Sequence, residues 1–376
     1  MAFAHFRRHL RKTLGTHITN LPGWRTNRKI VVIESDDWGS IRMPSKQVYD
    51  NLSKAGIPVE KSHYNRFDSL ESNADLERLY EVLAGFKDKN GNHPAFTGVC
   101  VVANPDFEKI QESGFKEYFY EPFSETLNRY PAHDRVLDLW KKGADKRIFV
   151  PQFHGREHLN VQRWMRDLQV GNPHTMLAFE NQLWGITSIL IPRGYQPAFE
   201  PDVPEDISYH ASVLDTGIEM FKNLMGYTPE FFVPPNGPFN HGLMPVVARK
   251  GIKYIMLDKW QKEPLGNEIH KNRFHYLGKK NKQDIMCLSR NASFEPSSNS
   301  LDWVDKCLSD IAMAFRMKKP ATISTHRVNY IGFLEPVNRD RSLKLLKDLL
   351  NRILKKWPDV EFMTSPELGA IIEGKK

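Results

Sequence analysis

The sequence predicts an α/β fold in which parallel strands form a barrel or a barrel-like sheet within one main domain. Three observations carry this. Short apolar runs alternate with helical patterns along most of the chain, as repeated strand–helix–strand units require. Polar side chains gather directly after several of these runs, where the loops of a parallel barrel converge. The 376 residues contain no low-complexity linker and no internal repeat, so one large core is the simplest organisation.

The elements follow in order. Residues 1–28 read as a basic N-terminal extension, and residues 29–376 as the main domain. In the extension Arg7, Arg8, Arg11 and Lys12 accompany Phe3, Phe6, Leu10 and Leu14 at helical spacing. A short amphipathic helix packed on the domain is expected, with peripheral contact to an anionic membrane surface as its alternative role. Lys29–Glu34 reads as a buried strand. Ser45 N-caps a helix running to Ala55. Asn73 caps another, in which Leu76, Leu79, Tyr80 and Leu83 recur with the helical period. Ala95–Val102 and Arg147–Gln152 read as strands, and His158–Leu168, Thr175–Leu190 and Asp206–Leu224 as helices. Glu230–Val233, Tyr254–Leu257 and Ala321–Ser324 are further short strands. Arg341–Lys356 is a long helix with Leu343, Leu346, Leu350 and Ile353 on its apolar face, and Glu361–Thr364 is a last strand. That makes about seven strands separated by helices. The stretch around 261–320 breaks the rhythm. There Phe274–Leu277 and Asp284–Leu288 flank a turn-like Lys279–Gln283, which predicts an inserted β-hairpin.

Composition removes several classes. Hydrophobic residues make up 40% and charged residues 26%, which suits a globular protein and not a disordered one. No apolar run is long enough to span a membrane, and no secretory signal pattern follows the basic start. Cys100, Cys287 and Cys307 are too few for a disulfide framework and include no C-x-x-C pair. With the missing signal, they point to the cytoplasm, with the inner face of the membrane as an option. The net charge is +8. It permits anionic partners, but no nucleic-acid-binding signature accompanies it, and no nucleic-acid partner is expected.

The chemistry-bearing residues sit after the strands. Asp36-Asp37-Trp38-Gly39 follows the first. His154-Gly155-Arg156-Glu157-His158 follows the third. Pro234-Pro235-Asn236-Gly237, Asp258-Lys259-Trp260 and Thr325-His326-Arg327 follow later ones. His154 and His158 have i, i+4 spacing, which on one helical turn would let both face one metal ion. With Asp37 they would make a two-histidine, one-carboxylate set that leaves positions open for water. Asp36 would stay free as a base, and His326 could protonate a leaving group.

The order of these motifs resembles the NodB-homology polysaccharide deacetylases of the glycoside hydrolase/deacetylase superfamily. The resemblance spans roughly residues 29–372, including the final Glu361-Phe362-Met363-Thr364-Ser365-Pro366 stretch. It implies a distorted (β/α)7 barrel and removal of an acetyl group from an N-acetylated amino sugar or glycan precursor. It implies Asp36 as catalytic base, Asp37, His154 and His158 as ligands of one divalent ion (Zn2+ for preference), and His326 as general acid. The backbone N–H of Asn236 would face an oxyanion. Trp38, Arg156, Trp260 and Arg327 are candidate sugar contacts. The pattern departs at Glu34-Ser35, at Gly155 and at Val233. Val233 stands where the resemblance puts an arginine that holds the catalytic aspartate, so Arg156 or Arg327 would have to take that part, and Asp258 is left without its partner. Two other functions compete. One is a glycoside hydrolase with paired carboxylates, Glu157 with Asp36 or Asp258. The other is a non-catalytic carbohydrate-binding barrel using Trp38, Trp164 and Trp260, although Trp164 reads better as core. Oligomeric state is not legible in the sequence.

Overall fold

The structure is a computed structural model and describes residues 22–375 apart from 187 and 299. The amphipathic stretch expected at the N-terminus lies outside the described residues. From Pro22 onward the chain packs on the domain. Trp24 donates its amide to the Leu277 carbonyl, and the Lys319 ammonium donates to the carbonyls of Pro22, Gly23 and Trp24.

The strands are β1 (Lys29–Trp38), β2 (Phe96–Val101), β3 (Ala103–Pro105), β4 (Tyr120–Pro122), β5 (Phe149–Gly155), β6 (Phe231–Phe232), β7 (Tyr254–Met256), β8 (Trp260–Pro264), β9 (His270–Phe274), β10 (Met286–Leu288), β11 (Ala292–Ser293), β12 (Ala321–His326) and β13 (Val360–Met363). Nine of them form one sheet with the path β10-β7-β6-β5-β2-β1-β12-β11, and β13 also pairs with β1. Every pairing in this sheet is parallel. Parallel strands flanked by helices are consistent with the expected α/β barrel. All seven strands read from the sequence lie in this sheet.

The period-two alternation of a strand sorts the side chains of β1. Val31 and Ile33 join the large core beneath the helices Asn73–Ala84, Val136–Asp145, Asp206–Met225, Trp303–Arg316 and Pro336–Lys356. Ile30 and Val32 pack on the other face, against Met363 and Leu368 of the closing segment. Glu34 and Asp36 continue that second face toward the strand's C-terminal end. The core therefore gives way to carboxylates along a single strand.

Several expectations need correction. The predicted hairpin is displaced. The antiparallel ribbon pairs β8 with β9, in register from Trp260↔Phe274 to Pro264↔His270. Residues 286–288 instead extend the main sheet beside β7, because their alternating apolar residues are buried on both faces. The His154–His158 pair does not share a helical turn: His154 lies within β5, one residue before its end, and the next helix starts only at Val161, capped by Asn160. Gly155, at φ +147°, carries the chain out of the strand before a helix can begin. The helix after Ser72 is capped by Ser72, which forms a capping box with Asp75, and not by Asn73. Thr175–Leu190 is helical only as Pro173–Glu180. Among the described residues no helix is long and apolar enough to cross a membrane.

Candidate active site

The site begins with an irregularity in β1. Its pairing with β2 shifts register between Ser35 and Trp38, and Asp37 adopts φ +77°. Regular strand geometry sends consecutive side chains to opposite faces. A bulge lets two consecutive carboxylates enter the same cavity while addressing different partners. A left-handed aspartate inside a strand is a strained conformation of the kind that collects at functional sites.

Asp37, His154 and His158 are buried, with one donor atom of each inside a 4.8 Å cluster. Asp37 Oδ1 lies 3.4 Å from His154 Nε2 and 3.1 Å from His158 Nε2. His154 Nδ1 is 2.7 Å from the Val233 carbonyl, which accepts its proton and turns Nε2 toward Asp37. That Nε2 is buried without a hydrogen-bond partner. Burial lowers the pKa of His158 to about 4, against the pull of Asp37, so it is neutral at ordinary pH. Two imidazoles, a carboxylate and a backbone carbonyl orienting one ring are what a divalent metal site requires. The residues present therefore fit the implied ion. Behind them, Arg42 Nη2 lies 3.4 Å from Asp37 Oδ2.

Asp36 is held by Arg290, a residue the sequence reading missed. Arg290 Nη1 and Nη2 donate to the two oxygens of Asp36 at 2.7 and 2.6 Å. Its Nε donates to Glu34 at 2.5 Å, and Nη1 also reaches Ser324 Oγ at 3.1 Å. The planar guanidinium suits this fork, because Glu34 and Asp36 share one face of β1 two residues apart. Burial alone would raise the pKa of Asp36, but the charge and hydrogen bonds of Arg290 outweigh it and hold the carboxyl below its usual value. Thus neither Arg156 nor Arg327 takes the place vacated at Val233.

His326 ends β12, in register with Asp36. Its Nδ1 is 2.7 Å from Glu295, whose other oxygen accepts from Asn329 at 2.7 Å. Burial works against a charged imidazole here. The Glu295 carboxylate and its hydrogen bond, with Asp37 and Asp36, overcome that and raise the pKa to about 9. His326 is therefore a protonated acid at neutral pH, facing an ionised Asp36.

These groups line one cavity of about 400 Å3, together with Asn236, Asp258, Tyr64 and Gln196. Asn236 stands in a left-handed turn at φ +56°. Gly237 closes that turn on the Pro234 carbonyl. The Tyr64 ring meets His326 edge-on at 5.7 Å. The fully expected set (Asp36, Asp37, His154, His158, Asn236 and His326) is thus brought together.

The four candidate sugar contacts lie elsewhere. Trp38 is fully buried, edge-on to Phe149, with its Nε1 on Ser35. Arg327 is fully buried between Asp68 and Glu71. Arg156 is tied to Glu157 and Thr216 and lies over the Tyr120 ring. Trp260 is 65% exposed and packs on Phe274, outside the cavity. Glu157, a candidate for the paired-carboxylate alternative, is buried against Arg156 and Tyr118 and does not line the cavity. Trp164 is core, as its sequence context suggested.

No family model and no curated protein matches the chain. Among solved structures it is similar to a protein of Mycobacterium smegmatis assigned as a polysaccharide deacetylase, at 12% identity, over 94% of this chain and 93% of that one, with a TM-score of 0.45. A Parabacteroides distasonis protein assigned as a glycoside hydrolase/deacetylase is 9% identical over 93% and 72% of the two chains, with a TM-score of 0.48. A GH57-type branching enzyme of Pyrococcus horikoshii is 12% identical over 93% and 71%, with a TM-score of 0.46.

Proposed function

We propose that this chain is a metal-dependent hydrolase that removes an acyl group, acetyl in the simplest case, from the nitrogen of an amino sugar or glycan precursor. One observation carries the reading: a buried Asp37–His154–His158 cluster opens into the same cavity as an ionised Asp36 and a protonated His326. An ion held by the cluster, zinc by the chemistry of its donors, would polarise the substrate carbonyl and lower the pKa of water beside it. Asp36, fixed by Arg290, accepts the proton of the water that attacks the carbonyl carbon. The Asn236 N–H donates to the oxygen that gains charge. His326, held charged by Glu295, gives its proton to the nitrogen as the carbon–nitrogen bond breaks, releasing carboxylic acid and free amine.

The paired-carboxylate alternative rests on Asp36 and Asp258 alone, since Glu157 lies outside the cavity. Among the described residues all three cysteines are free and buried, as a reducing compartment would keep them, and a deacetylase placed in the cytoplasm would meet sugar precursors. The test combines metal content with acetate release, in wild type, Asp37→Ala and His154→Ala. About one ion per chain, lost with activity in both variants, is expected. Cleavage of a glycosidic bond by metal-free protein would overturn the reading in favour of two carboxylates. Activity on mature polymer only would overturn its placement on precursors.

A further inference from the structure

A second cavity of about 810 Å3, roughly twice the volume of the first, lies on the other face of β7. Met256 and Asp258 line the catalytic cavity, whereas Ile255 and Leu257 line this one. Strand alternation separates them, and they share no lining residue.

The chemistry of this cleft is distinctive. Ile255, Leu257, Ile285 and Cys287 give it an apolar floor, and its rim carries Lys271, Arg273, Lys279, Lys280 and Lys282 with no carboxylate among the lining residues. Lys271 and Arg273 alternate along β9 and so share one face of the ribbon, opposite Glu263 and Gln261. Arg273 is answered by Glu263, and Lys280 by Asp284 and Glu373. Lys271, Lys279 and Lys282 form no ion pair among the described residues, since Glu263, across from Lys271, is taken by Arg273. One wall is flat. The rings of His241 and His275 stack at 5.5 Å and 20°, and each Nε2 lies 2.9 Å from the single Gln261 Oε1. Gln261 donates its own amide to the Phe239 carbonyl, so its oxygen is fixed toward both rings. Lys279 donates to the Phe274 carbonyl, so Lys271 and Lys282 are the two ammonium groups left without an ion pair beside the apolar hollow, and a cleft lined by one sign of charge over an apolar floor draws anions.

We propose that this cleft binds a phosphorylated small molecule of the nucleoside diphosphate class. The lysines would take the diphosphate, and the apolar floor and imidazole wall its ring-bearing body. The site is independent of the hydrolytic reading and stands or falls separately.

The test is calorimetric titration of the full-length protein with uridine diphosphate and, in parallel, inorganic pyrophosphate. Saturable binding of uridine diphosphate is expected. It should weaken by about tenfold or more in Lys271→Glu/Lys282→Glu, two exposed positions whose change leaves the core intact. Asp37→Ala, altered in the other cavity, should bind as wild type does. No saturation up to about 10 mM, unchanged affinity in the lysine variant, or loss in Asp37→Ala would overturn the proposal. Pyrophosphate binding as tightly as uridine diphosphate would overturn the role given to the floor and wall.

Discussion

Asp36 and His326 are each fixed by one oppositely charged neighbour, and removing either neighbour has a different consequence. Glu295 supplies the charge that keeps His326 protonated against burial. In Glu295→Gln that charge is gone and only Asp37 and Asp36 still oppose burial, so the pKa falls from about 9 toward the ordinary 6.5. An acid must be protonated to act, so the alkaline limb of kcat/KM against pH should move to lower pH. A limb that stays in place would show that His326 is not the acid. The same shift acts on stability. A raised folded-state pKa contributes stability that is complete below about 6.5 and lost as pH rises through about 9. Arg290 carries a heavier structural duty, because Glu34 and Asp36 both depend on it. Arg290→Met leaves two buried carboxylates facing each other and should destabilise the fold by about 3–5 kcal/mol, read from urea midpoints. Arg290→Lys keeps one charge but loses the fork. It should recover part of the stability while activity stays about a hundredfold or more below wild type. Full activity in the lysine variant would mean that charge alone positions Asp36.

At the scale of elements, the position of His154 depends on how closely the helix Asp206–Met225 approaches the end of β5. Gly217 in that helix permits the approach. A Cβ there would lie 2.9 Å from Arg156 Cβ and 3.0 Å from both the Arg156 nitrogen and Phe153 Cζ. Replacing an interior helical glycine by alanine ordinarily stabilises by about 1 kcal/mol. Here overpacking against strand backbone should reverse the sign, so Gly217→Ala should lose about 1–3 kcal/mol and bind metal more weakly. A higher unfolding midpoint in this variant would contradict the close packing. The segment between β7 and β12 shows why element boundaries limit what sequence can say. Its broken rhythm reads as an insertion hung on a barrel. In the fold it supplies β10 and β11 to the main sheet, and the turns beside these two short strands carry Arg290 and Glu295. The residues of β10 were legible as a strand but were assigned to a hairpin arm, Asp284–Leu288, instead of to the main sheet, and the two residues of β11 are too short to register by periodicity. The two side chains that fix the candidate acid and base were therefore hidden in what looked like decoration.

For the whole molecule, the sequence was most legible where one strand states its own chemistry. Asp36, Asp37, His154 and His326 each follow a buried apolar run, and that placement alone directs them to one end of a parallel sheet. What it could not state was pairing across the chain: Arg290 meets Asp36 over a separation of 254 residues. The same rule misplaced Trp38 and Arg327, which also follow strands but are buried in the core and in an ion-pair network. Position after a strand marks a residue as near the site, and only packing decides whether it faces the cavity. This long-range assembly has a thermodynamic consequence. The Asp37–His154–His158 cluster joins β1 to the end of β5, so the donors come together only when the sheet is formed. An ion that binds this cluster but not the unfolded chain must stabilise the whole domain and not one loop. At a free zinc concentration of about 100 times Kd, linkage predicts about 2.7 kcal/mol, or a rise in Tm of roughly 3–4 °C for a domain of this size. Chelation should remove the rise, and Asp37→Ala should show none. The added protection against hydrogen exchange should extend through β1, β5 and β12 together, because the metal would oppose global and not local opening. An equal rise in Asp37→Ala would place the zinc on other donors and refute the cluster as its site.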